Sequence, residues 1–71
     1  MSTDTFAAGD WIEIVLHNGA SYSGYFEENR HIMRTTIDGI KLVPAIQIWS
    51  DLFGDRRIPY DQIKAVYAVR A

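Results

Sequence analysis

Asn18-Gly19 stands between two runs rich in β-branched and aromatic residues, WIEIVL at residues 11–16 and ASYSGYFEE at residues 20–28. Tight hairpin turns favour residues that tolerate positive φ, and Asn-Gly is the strongest short signal of that kind. This dipeptide therefore predicts an antiparallel hairpin early in the chain. A lone hairpin is marginally stable in water, so further strands must join it and cover its apolar face. Side chains alternate along a strand, which places Tyr22 and Phe26 on one side of the second run and Tyr25 on the other. Gly24 lies inside that run, where glycine weakens pairing unless a sharp bend or a close backbone approach needs it. The sheet is expected to curl there.

The rest of the chain keeps its β character. Glu28-Asn29-Arg30-His31 is polar and reads as a turn, residues 32–37 (IMRTTI) as a third strand, and Asp38-Gly39 as a tight turn or bulge. Residues 40–50 (IKLVPAIQIWS) are strand-like again, with Pro44 confined to an edge or a bulge because it has no N–H for a ladder. A turn at residues 51–55 leads to Pro59-Tyr60-Asp61-Gln62, which suits one 3₁₀ turn, and the alternating run that follows is a last strand. Helix is nearly absent. One N-terminal turn over residues 2–8 is the single candidate, capped by Ser2, Thr3 or Asp4 and ended by Gly9-Asp10. Five or six short strands in 71 residues, with no repeats, linkers or low-complexity stretches, predict one all-β domain, a strongly bent barrel rather than a sandwich.

Size sets the next constraint. Folding at this length hides only roughly 60% of the unfolded surface, so a monomer needs a supplement to its core. Cysteine is absent, which removes disulfides and thiolate metal sites, and 48% of residues are hydrophobic. Oligomerisation is the supplement left, and a ring or dimer is expected. Seven Lys and Arg against nine Asp and Glu give a net charge of −2, so nucleic-acid binding would need a local basic patch. The N-terminal MSTDTFAAGD has no basic region followed by an apolar one, and no apolar run approaches the ~18 residues of a membrane span. The expected location is cytoplasmic.

The run VLHNGASYSGYF, residues 15–26, resembles the first motif of the Sm/Lsm family: a hydrophobic strand, Asn18-Gly19, four residues, Gly24, one residue and the apolar Phe26. At the family's spacing, Met33 and Ile37 continue the register. The second motif aligns with residues 58–63, where the aliphatic ends Ile58 and Ile63 match and Asp61 is a further candidate match. The resemblance implies a small, strongly bent five-stranded antiparallel barrel of the SH3-like, Sm-like kind. Its fourth and fifth strands would pair with neighbouring subunits and close a homo-oligomeric ring, which satisfies edges otherwise left open.

In that family a base-stacking pocket combines an acid, a ring and an asparagine after the second strand with an arginine of the second motif. This chain has Arg30, Ile32, Arg34 and Pro59 at those places, with Tyr60 replacing the following glycine, so the usual uridine pocket is not expected. What remains is a positively biased loop of Arg30, His31 and Arg34, toward which Arg56 and Arg57 can converge, since the resemblance opens both loops at the pore. Such a cluster holds phosphates without reading bases, with His31 or Tyr60 as a stacking face. The alternative is that Arg30 and Arg34 are solvated charges paired across subunits with Glu27, Glu28 or Asp61.

Other candidates carry less. Glu27 and Glu28 are neighbours on a strand and point to opposite faces, so they cannot flank one scissile bond. His17 and His31 have no partner at ligand spacing for a metal. Trp11 and Trp49 read as packing residues, with a ligand platform as the other reading. Ser21 and Ser23 have no placed base, and no glycine loop cradles a phosphate, so neither enzyme activity nor a cofactor is expected. Two functions follow: a ring binding RNA or single-stranded nucleic acid through Arg30, His31, Arg34, Arg57 and Tyr60, or an SH3-like ring serving as a protein-interaction or structural adaptor.

Overall fold

The computed structural model describes residues 6–69. They form β1 (Trp11–Leu16), β2 (Ser21–Thr36), β3 (Gly39–Ser50), β4 (Gly54–Pro59), a 3₁₀ turn η1 (Tyr60–Gln62) and β5 (Ile63–Ala68). All five strands lie in one antiparallel sheet in the order β4-β3-β2-β1-β5.

The first hairpin forms with Trp11 opposite Tyr25 and Val15 opposite Ser21. Its loop holds three residues, His17, Asn18 and Gly19, because Leu16 donates its N–H to Ala20 O at 2.8 Å. Only Gly19 takes positive φ, at 91°, whereas Asn18 caps the turn by accepting the Ala20 N–H on Oδ1 at 2.9 Å. The asparagine thus works through its side chain rather than through left-handed backbone.

Residues 28–31 are not a turn. β2 runs through them to Thr36, and Asn29, Arg30 and His31 sit opposite Ile46, Ala45 and Pro44 of β3. The expected third strand at residues 32–37 is therefore the second half of β2. A bulge at Glu27 absorbs one extra residue and turns the strand from β1 toward β3. The polar residues reflect exposure on this stretch, and their backbone groups stay in the ladder. Pro44 sits one residue before the β4 ladder begins at Ala45, where β3 has β2 on one side and no strand on the other.

One face of the sheet carries the core: Ile12 and Ile14 from β1, Phe26 from β2, Ile46 and Ile48 from β3, Ile58 from β4, and Ile63 and Val66 from β5. Gly24 lies on this face opposite Ile12. A Cβ there would come within 2.8 Å of the Trp49 carbonyl oxygen and 3.3 Å of Ile48 Cβ, so the close approach expected at Gly24 is real. Phe6 closes one end, its ring edge-on to Phe26 at 4.8 Å.

The sheet is strongly bent but does not close into a barrel. β4 and β5 are its two edges, with no ladder between them. The three residues of η1, rising ~2 Å each, join these opposite edges, so the sheet curls until they approach at one corner. Pro59 ends β4 without an N–H, and η1 then carries the chain across the corner before β5 starts, which leaves the edges unpaired. Of the N-terminal turn, candidate caps Ser2, Thr3 and Asp4 lie outside the described residues, and residues 6–8 are not helical. Beyond the core, the β2–β3 hairpin projects as an arm with Ile37 fully exposed at its tip, and the molecule is 45 Å long by 22 by 21 Å. Among the described residues no helix is long and apolar enough to cross a membrane.

Candidate nucleic-acid interface

Gln47 organises the basic residues that do converge. It lies on β3 between Glu28 of β2 and Arg57 of β4, so cross-strand neighbours on one face reach it from both sides. Its Oε1 accepts a hydrogen bond from Arg30 Nη1 at 3.1 Å and one from Arg57 Nε at 3.0 Å. Its Nε2 donates to Glu27 Oε2. A buried amide with both ends engaged fixes the two guanidinium groups side by side. Glu27 and Glu28, the latter 3.5 Å from Arg30, offset their repulsion. Arg57 uses only its Nε here, and among the described contacts its terminal nitrogens have no partner.

Arg34 does not join them. It lies further along the same face of β2 and donates from Nη1 to Asp61 Oδ2 at 2.5 Å and from Nη2 to Asp61 Oδ1 at 3.2 Å. This forked pair ties the arm to η1. The hydrogen bonds hold the Asp61 carboxyl below its ordinary pKa and raise that of Arg34. The pairs weighed between subunits, Arg30 with Glu28 and Arg34 with Asp61, form within one chain.

Tyr60 donates its hydroxyl to Asn29 Oδ1 and packs its ring against the core, and burial raises its pKa. It is a closure between η1 and β2 rather than a free stacking face. His31 is exposed, two strand positions from Asn29 and opposite Pro44. Arg56 faces away from Arg57, toward the core side opposite Ile48, and packs on aromatic rings. Of the five candidates, then, the fold joins Arg30 with Arg57, leaves His31 open, and engages Arg34 and Tyr60 elsewhere.

The aromatic face is the feature that sequence reasoning underweighted. Trp11, Tyr25 and Trp49 are consecutive cross-strand neighbours on β1, β2 and β3, on the face opposite the core. Trp11 meets Tyr25 edge-on at 4.8 Å, and Tyr25 stacks with Trp49 at 6.2 Å. All three keep more than a third of their surface exposed. A cleft of about 600 Å³ opens beside Trp11 and Tyr25, with Ser21, Ser23 and the β3–β4 loop residues Asp51, Leu52 and Phe53 around it. The alternation already separates Tyr25 from Phe26, and that separation was the available signal. On β3, Gln47 precedes Trp49 by two positions, so the aromatic ladder and the two arginines occupy one sheet face.

Among the described residues no group of three or more His, Cys, Asp or Glu side chains is placed to hold a metal ion. Fold and site together define a small all-β protein with one open five-stranded antiparallel sheet and a mixed aromatic and arginine face. Compared with known proteins, the chain matches no family model, no curated protein and no solved structure.

Proposed function

We propose that the protein is a self-assembling, Sm-like ring subunit that holds RNA or other single-stranded nucleic acid by its phosphates. The observation that carries assembly is the pair of open edges, β4 and β5, on opposite sides of one bent sheet. Pairing β4 of one copy with β5 of the next satisfies both edges and repeats around a closed ring, with an SH3-like barrel completed only in the assembly. Exposed Trp11, Tyr25, Trp49 and Tyr67, together with the apolar arm, give such contacts apolar area to bury. The contact with nucleic acid falls on Arg30, His31 and Arg57, because Arg57 keeps open donors while Arg34 is already neutralised by Asp61. A cytoplasmic location belongs to the same reading.

Light scattering tests the ring: its mass is expected at a multiple of the 8.1 kDa chain, and a monomer at micromolar concentration refutes it. Titration with labelled oligouridine and oligoadenine tests the contact. Each phosphate contact on a single strand adds about −0.7 to the slope of log affinity against log salt, so Arg57→Ala is expected to flatten that slope by about 0.7 per engaged subunit. Absence of binding at low salt sinks the nucleic-acid reading.

The adaptor reading has its own support. Glu13, Asp51 and Asp55 flank the Trp11–Tyr25–Trp49 ladder, and acidic aromatic faces suit basic, apolar protein segments better than polyanions. It is favoured if the ring forms and no nucleic acid binds at low salt.

A further inference from the structure

Arg56 is a basic residue that neither reading uses. Its guanidinium carbon lies 4.6 Å from the centre of the Tyr22 ring and 4.8 Å from that of Phe53, and these rings meet edge-on at 6.3 Å. Contact with two rings positions the guanidinium without using any of its five N–H donors. Among the described residues those donors meet no acceptor, and the Nε is buried without a partner. The side chain is half-buried, and among the described residues no carboxylate pairs with it.

A cleft of about 160 Å³ adjoins it, where the unclosed sheet leaves a gap. β4 contributes Arg56 and Arg57, the end of β1 contributes Leu16, the start of β2 contributes Tyr22, and η1 contributes Gln62. No Asp or Glu lines it. The η1 side is fixed by the His17 N–H donating to the Gln62 carbonyl at 3.1 Å. We infer that this cleft is an oxyanion site, with Arg56 as its anchor and a phosphate group as its ligand. Residues that carry donors line it from separate elements, Arg56 from β4, Tyr22 from β2 and Gln62 from η1, as a tetrahedral anion with oxygens in several directions requires, whereas a planar carboxylate is satisfied by one guanidinium edge. A phosphate bound there gives the Arg56 fork the charged acceptor that the chain itself does not supply.

The inference does not rest on the ring, and its anchor, Arg56, lies outside the Arg30, His31 and Arg57 contact. Nitrogen-15 NMR of the full chain reads it directly, by titrating inorganic phosphate at constant ionic strength against chloride. Saturable movement of the Arg56 Nε–Hε and Gln62 side-chain amide signals is expected, with the Arg34 signal unmoved. Arg56→Lys keeps the charge but loses the fork, and is expected to weaken binding about tenfold. Gln62 is exposed, so Gln62→Ala provides a second variant that leaves the core intact, again with weaker binding expected. A thymidine oligonucleotide forms the other arm. Movement of Arg56 by both ligands assigns the phosphate to a nucleic-acid backbone, and movement by inorganic phosphate alone assigns it to a free phosphate compound. No saturable movement with either, the same movement with chloride, or unchanged affinity in both variants overturns the site.

Discussion

Arg34 and Asp61 join side chains that lie far apart in the chain, and their pairing is legible as a titration. The guanidinium keeps the Asp61 carboxyl below its ordinary value, so the native state binds this proton less readily than the unfolded chain does. The sign follows: the stabilisation is complete above the ordinary carboxylate pKa of about 3.9 and is lost as pH falls through the lowered value. Arg34→Ala is expected to return the Asp61 titration to the ordinary range, and carbon-detected NMR of the carboxyl carbon reads that shift directly. An unmoved Asp61 midpoint contradicts the pairing. At this scale the sequence identified the right side-chain types. Arg30, His31 and Arg34 lie on β2, Arg57 on β4 and Tyr60 on η1, but which of them meet depends on Gln47, Asp61 and Asn29 as partners. Those partners are 10 to 31 residues away in the chain, beyond the reach of spacing arguments.

Strands were easier to read than their limits. Alternation and the Asn18-Gly19 signal predicted β1, the start of β2 and β5, and Gly24 marked the place where the sheet folds on itself. Gly24→Ala puts a methyl group against the Trp49 carbonyl, a backbone atom that cannot rotate away, so a loss of about 1–3 kcal/mol is expected. Thermal or urea unfolding measures it, and unchanged stability means that the bend relaxes more freely than its packing implies. The turn expected at residues 28–31 failed for an identifiable reason. Polar composition signals exposure, and an exposed strand paired on both halves to different neighbours has the same composition as a loop. The bulge at Glu27 allows one strand to serve β1 with its first half and β3 with its second, and no local pattern announces it.

The whole molecule shows a small core on one face, two unpaired edges, and large apolar residues left in solvent from Trp11 to the arm tip at Ile37. The proposed assembly would couple folding to concentration, so the thermal midpoint is expected to rise as protein concentration is raised through the association range. Differential scanning calorimetry over a dilution series measures it, and a midpoint independent of concentration contradicts assembly. Local pattern along the chain was enough for the β class and the first hairpin. These follow from side-chain alternation and turn chemistry, both of which are local. Tertiary structure alone decided that the sheet stays open, that Arg30 and Arg57 share one amide while Arg34 is held by Asp61, and that Arg56 is left with its donors free. Each of these depends on which distant residues the bend at Gly24 and the bulge at Glu27 bring together, and a bend changes contacts across the whole sheet without changing the pattern along any strand.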